Sequence, residues 1–232
     1  MSENRNAECG SAEFRDDGPL VIGLTGPIAS GKSTVAAMLL AWGAEVIDAD
    51  QVYRSLLSPG SELWRRITTK FGSSIVRADK EIDRAALGKI VFTDADALAD
   101  LDRLTHPAVV AEIRRRILRS TAPVVVIEAI KLVQSGLTAD VDTLWLVTAD
   151  PEIRFQRLLA RPGLDANEAR DRMAASPDPM HSPVPFDVII DNSGRLSETS
   201  RQVSAAWQSL VSRSNCVGRV SDVAQIGSEE DT

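Results

Sequence analysis

Apolar runs of strand length alternate along this chain with longer stretches of helical period. Pro19 to Thr25 (PLVIGLT) is a short apolar run, polar before and glycine after, and predicts a buried strand. Thr34 to Trp42 (TVAAMLLAW) has the composition of a helix packed on a sheet, with Gly43 as its C-cap candidate. Ala44 to Ile47 (AEVI) reads as a second short strand. Pro123 to Ile127 (PVVVI) is a continuous β-branched run, the mark of a parallel strand buried on both faces. Thr143 to Thr148 (TLWLVT) and Asp187 to Asp191 (DVIID) complete five strands. Strands alternating with helices predict an α/β fold, a doubly wound parallel five-stranded sheet with helices on both faces.

The helical stretches divide the chain. Residues 51–57, 61–72 and 85–92 predict helices, broken by the turn Ser58-Pro59-Gly60 and ended by Gly72. Asp94 is placed to cap a long helical pattern through 97–120, which Pro107 is expected to kink or split. Asp150-Pro151-Glu152 is a strong helix start. A short helix is expected over 166–175, a proline-rich loop over 176–185 and a closing amphipathic helix over 195–213. The predicted organisation is one domain over 19–213, with core segments 19–52, 107–156 and 185–213. A helical insertion occupies 53–106 and a lid 157–184.

The 232 residues carry a net charge of −7. Residues 1–18 hold five acids and two bases, and residues 215–232 four acids and one base, so most of the excess negative charge is in the tails. The tails 1–18 and 214–232 read as solvated and disordered. The remainder is nearly neutral, which gives no support for nucleic-acid binding. No apolar stretch reaches the length of a membrane span, and the first 18 residues have no apolar signal-peptide core. A cytoplasmic protein is the expectation, without a membrane partner. Cys9 and Cys216 sit at the chain's edges, so neither a structural disulfide nor a cysteine metal site is expected.

Candidate chemistry begins at Gly26 to Ser33 (GPIASGKS), which fits G-x-x-x-x-G-K-[ST] between a predicted strand and helix. A helix N-terminus leaves backbone N–H groups without partners, and a loop wrapped over it aims several of them at one anion. Ala29, Ser30, Gly31, Lys32, Ser33 and Thr34 are the candidate triphosphate-binding residues, with Gly31 permitting close approach. Lys32 supplies a mobile cation, and the Ser33 hydroxyl is placed to ligate Mg²⁺. Asp48 and Asp50 follow the second strand, where ligands bind in open α/β sheets. Either can cap the next helix, and Asp50 is the candidate general base toward a hydroxyl nucleophile. Glu128 ends the third strand; it could order a magnesium-bound water, accept from the phosphate loop, or cap a helix over 129–133. Arginines 154, 157, 161, 170 and 172 concentrate after the fourth strand. They read as a solvated basic face or as a lid that stabilises charge on the transferred phosphoryl group, with Arg161 and Arg172 the foremost candidates. His106 is a surface histidine or a substrate contact at the mouth of the insertion.

A phosphate cradle, an insertion for an acceptor, a carboxylate base and an arginine-rich lid are the parts of a small-molecule kinase. The chain resembles the dephospho-CoA kinases from Leu20 to about Leu210. The resemblance rests on VIGLTGPIASGKSTVA at 21–36, VIDAD at 46–50, FG at 71–72 and EIDRAALGKIVF at 81–92. It continues through LTHP at 104–107, RLLARPGLDANEARDRMAAS at 157–176 and DVIIDNSG at 187–194. It implies ATP-dependent phosphorylation of the ribose 3′-hydroxyl of dephospho-CoA, the last step of coenzyme A synthesis. Mg²⁺ would be the cofactor, and ATP and dephospho-CoA the partners. It makes Asp50 the base, Lys32 and the loop the triphosphate cradle, and Arg161 and Arg172 the lid's contribution. The insertion, with Arg84 and His106, would receive the acceptor, and Glu128 would lie at the same site.

Four departures from the family pattern stand out: Pro27 and Ala29 where glycine is frequent, Ile130 to Gln134 in place of P-L-L-F-E, and Ser176 in place of a glutamine. The competing readings are another small-molecule P-loop kinase with a nucleotide or nucleoside acceptor, and a nucleotide-binding regulatory module without catalysis. A monomer or small homo-oligomer is expected.

Overall fold

In the computed structural model the strands β1 (Leu20–Thr25), β2 (Glu45–Asp48), β3 (Val124–Glu128), β4 (Thr143–Thr148) and β5 (Val188–Asp191) form one parallel sheet, ordered β2-β3-β1-β4-β5. The structure describes residues 18–176, 182 and 184–216. The expectations for the tails at 1–17 and 217–232, and for 177–181 and 183 in the proline-rich loop, lie outside the described residues. The first strand is central and buried throughout, as its unbroken apolar run requires. In register, Glu128 lies beside Leu24 on one side and Asp48 on the other. The carboxyl ends of β1, β2 and β3 thus meet at one point.

Each face of the sheet carries its own core. Helices α1 (Lys32–Ala41) and α8 (Leu196–Cys216) cover one face, with Leu39, Trp207 and Leu210 packed on Ile22, Leu24 and Val126. The other face is covered by the C-terminal half of α5 (Ala95–Arg119), where Ile113 and Ile117 pack on Val21, Val125 and Ile127. The insertion has a third core. Helices α2 (Ala49–Leu56), α3 (Glu62–Phe71) and α4 (Arg84–Thr93) and a 3₁₀ turn at Ser73–Ile75 bury Leu63, Ile67, Ile75 and Leu87 together.

Local chemistry sets the helix ends. Ser61, Asp83 and Asp94 cap α3, α4 and α5 through their side chains, and Gly72, at φ 83°, ends α3. Helix α8 continues to Cys216, past the expected start of the tail at 214. Two further elements narrow the alternatives expected. First, α5 is one helix of 25 residues that runs through Pro107, rather than splitting there. Proline removes one helical N–H, but both halves are fixed by packing, with Leu101, Leu104 and Ala108 on the insertion core and Val109 and Val110 on the sheet core. Second, residues 130–133 form turns, where a helix over 129–133 was one expectation. Leu132 is fully buried there, and the Ile130 carbonyl accepts from the Thr25 hydroxyl at 3.2 Å, which holds the turn over the end of β1.

Helices α6 (Pro151–Leu159) and α7 (Ala166–Ala174) form a hairpin against the loop after β1. Leu158 and Ala169 are buried against Ala29, with Ile28, Phe155 and Met173 around them. Among the described residues no helix is long and apolar enough to cross a membrane.

Candidate active site

The loop from Gly26 to Gly31 turns sharply because two glycines allow it. A Cβ on Gly26 would meet the Val147 carbonyl oxygen at 2.1 Å. Gly31 has φ 94°, and a Cβ there would meet the Asn192 amide nitrogen at 2.0 Å. Ala29 is also left-handed, at φ 60°, a conformation that costs a non-glycine residue roughly 1–2 kcal/mol. Its side chain is buried against Leu158 and Ala169, which offsets part of that cost. Helix α1 starts at Lys32, two residues earlier than the sequence pattern indicates, because Gly31 caps it and its carbonyl accepts from Thr34 and Val35 N–H.

Lys32 folds back on the loop: its Nζ donates to the Gly26 carbonyl at 3.0 Å and to that of Pro27 at 3.2 Å. Burial holds its pKa below the usual lysine range; Glu128, Asp50 and Asp48 oppose that shift, and Arg161 adds to it. Burial also raises the Glu128 carboxyl, against the pull of Lys32. The loop lines a cavity of about 470 Å³, with Lys32, Ser33 and Thr34 on one side and Asp50, Glu128 and Arg161 around it. Ser30 is fully buried behind the loop, and its N–H donates to the Pro27 carbonyl. The Thr34 N–H is likewise taken, by the Gly31 carbonyl.

A second cavity, of about 430 Å³, opens on the other side of Asp50. Its walls are largely apolar, from Ile28, Leu101, Val109 and Val110. Its polar groups include Tyr53, Asp102, His106, Lys131 and Arg172. His106 Nε2 lies 3.6 Å and Lys131 Nζ 4.0 Å from the Asp102 carboxylate. Burial raises the Tyr53 phenol, while Arg84 lowers it. Asp50 lines both cavities. Asp48 instead caps α2, accepting from Asp50 N–H at 2.8 Å and Gln51 N–H at 3.2 Å. Glu128 faces the phosphate-loop cavity rather than the apolar one, and Arg84 is an exposed residue at the start of α4 that lines neither.

The five arginines separate by contact. Arg154 donates to the Ala149 carbonyl and Arg170 lies over the Phe155 ring. Arg157 donates to the carbonyls of Ala29, Ser30 and Asn192. Arg157 and Arg161 line the phosphate-loop cavity and Arg172 the apolar one. The Ser176 hydroxyl accepts from Ile28 N–H at 3.0 Å, tying the end of the helical hairpin to the loop. The sequence alone does not single out Asn192, Tyr53 or the contacts of Arg157. An asparagine directly after a predicted strand is the available signal for Asn192; the others depend on folding.

A family model described as dephospho-CoA kinase matches residues 20–198. The dephospho-CoA kinase of Symbiobacterium thermophilum is 46% identical over 191 residues, covering 81% of this chain and 80% of the relative. That of Geobacter sulfurreducens is 43% identical over 190 residues, covering 81% of this chain and 96% of the relative. Among solved structures, a Thermus thermophilus protein superposes with a TM-score of 0.71 at 31% identity, covering 84% of this chain and 99% of that one.

Proposed function

The chain belongs to the dephospho-CoA kinase family, and from that premise we propose that it phosphorylates the ribose 3′-hydroxyl of dephospho-CoA with ATP. The observation that carries the reading is the position of Asp50, between a phosphate cradle and an apolar acceptor cavity. The triphosphate lies on the loop and the N-terminus of α1, and the acceptor enters from the insertion side past His106. The 3′-oxygen attacks the γ-phosphorus, its proton passes to the Asp50 carboxylate, and the bond to the β–γ bridging oxygen breaks to release ADP. Lys32 leaves its two loop carbonyls to follow the β- and γ-phosphates, and Arg161 and Arg172 meet the developing charge from either side.

The donor set fits a magnesium ion that arrives with the nucleotide. The Ser33 hydroxyl would hold it, and Glu128 lines the same cavity, where it can accept from the ion's water shell. Among the described residues no cluster of three metal-ligating side chains forms a cage, in keeping with an ion held largely by phosphates and water. When bound, the ion neutralises phosphate charge.

Incubation with Mg-ATP and dephospho-CoA, followed by mass spectrometry, tests the reading. Equal amounts of CoA and ADP, lost in Lys32→Ala, are expected. ATP binding without CoA formation would overturn the acceptor assignment, and a panel of hydroxyl acceptors would then identify the substrate.

A further inference from the structure

The Ser30 carbonyl is held twice, by two side chains that also line the phosphate-loop cavity. Arg157 Nη1 donates to it at 3.1 Å and Asn192 Nδ2 at 2.8 Å. The same guanidinium reaches the Ala29 carbonyl at 3.3 Å and the Asn192 carbonyl at 2.8 Å. Asn192 is itself fixed, because its Oδ1 accepts from the Thr199 hydroxyl at 2.9 Å, and both residues are buried. The Ser30 carbonyl and the Gly31 N–H belong to one trans peptide, so they point in opposite directions. Among the described residues no acceptor takes the Gly31 N–H, and Gly31 lines the phosphate-loop cavity.

We propose that Arg157, with Asn192, is a positioning residue for the phosphate loop: by anchoring the Ser30 carbonyl, it aims the Gly31 N–H at the bound phosphate. This deepens the kinase reading of the same site. Glycine at 31 leaves that peptide free to rotate, and a flipped peptide would present a carbonyl oxygen to the phosphates. The anchor removes that alternative before nucleotide arrives. It also joins α6, the loop and the turn after β5 into one unit, so the helix that leads into the lid is fixed to the cradle.

The probe is Mg-tripolyphosphate, which has phosphates but no base, with affinity measured by calorimetry below each variant's melting midpoint. Arg157→Met is expected to weaken binding about tenfold, the scale of one charged hydrogen bond. Arg157→Lys keeps the charge but loses the fork, and is expected to restore little of the affinity. Asn192→Ala gives a second variant that weakens binding, and the Arg157→Met/Asn192→Ala pair should lose less than the sum. Tripolyphosphate affinity within about twofold of wild type in folded Arg157→Met, or full rescue by lysine, would overturn the proposal. So would weakened ATP binding with tripolyphosphate binding unchanged, which is the pattern of a contact to the base alone. Because no acceptor is present, the result is independent of whether wild-type protein makes CoA.

Discussion

Asp48 and Asp50 lie two positions apart, and the helix that follows gives them different tasks. Asp48 accepts from two N–H groups of α2 through one carboxylate oxygen and lines the phosphate-loop cavity alone, whereas Asp50 lines both cavities. Asp50→Asn is therefore expected to leave ATP affinity within about twofold and to cut turnover roughly a hundredfold or more, as loss of a general base does. Equilibrium binding and steady-state turnover check the two halves. Glu128 allows a pH test. Its folded-state pKa lies above the ordinary carboxylate value of 4.5, so the folded protein holds that proton more tightly than the unfolded chain. Stability then falls as pH rises from about 4.5 through the folded-state value, and stays lower above it. The melting midpoint of Glu128→Gln, relative to wild type, should rise over that window; a difference that stays flat with pH would remove burial as the cause.

The element boundaries most legible in the sequence are those decided within a few residues, such as the caps at Asp83, Asp94 and Asp150. Pro107 shows the limit of that reading. Its local cost is legible, but the packing of α5 on two separate cores, which keeps the helix whole, depends on residues distant in sequence. The same holds for the turns at 130–133, where the burial of Leu132 decides the local conformation. Pro107→Ala restores a helical N–H and removes the ring's clash, so it should stabilise the protein by about 1–3 kcal/mol. Chemical denaturation checks this; a loss of stability would show that the helix uses a bend at this point to fit both cores.

At the scale of the whole molecule, the phosphate loop, the alternation of strands and helices and the candidate base were legible because each is a short pattern in a fixed context. The Arg157 anchor was not, because its carbonyl partners at Ala29 and Ser30 lie more than a hundred residues away. The two cavities share Ile28, Asp50, Ala129 and Ile130, while Arg161 and Arg172 of one hairpin face different cavities. A ligand that settles the hairpin from one side is therefore expected to order Arg161 or Arg172 on the other. At about a hundred times its dissociation constant, a single ligand stabilises by about 2.7 kcal/mol, which is roughly 5–10 °C for a domain of this size. A non-hydrolysable ATP analogue and dephospho-CoA, added together, should raise the melting midpoint by more than the sum of their separate shifts. Arg161→Ala and Arg172→Ala should each reduce that excess, since each removes a charged link between one cavity and the hairpin. Strictly additive shifts in the wild type would mean that the two cavities fill independently, and that the hairpin contributes to each binding step without carrying one to the other.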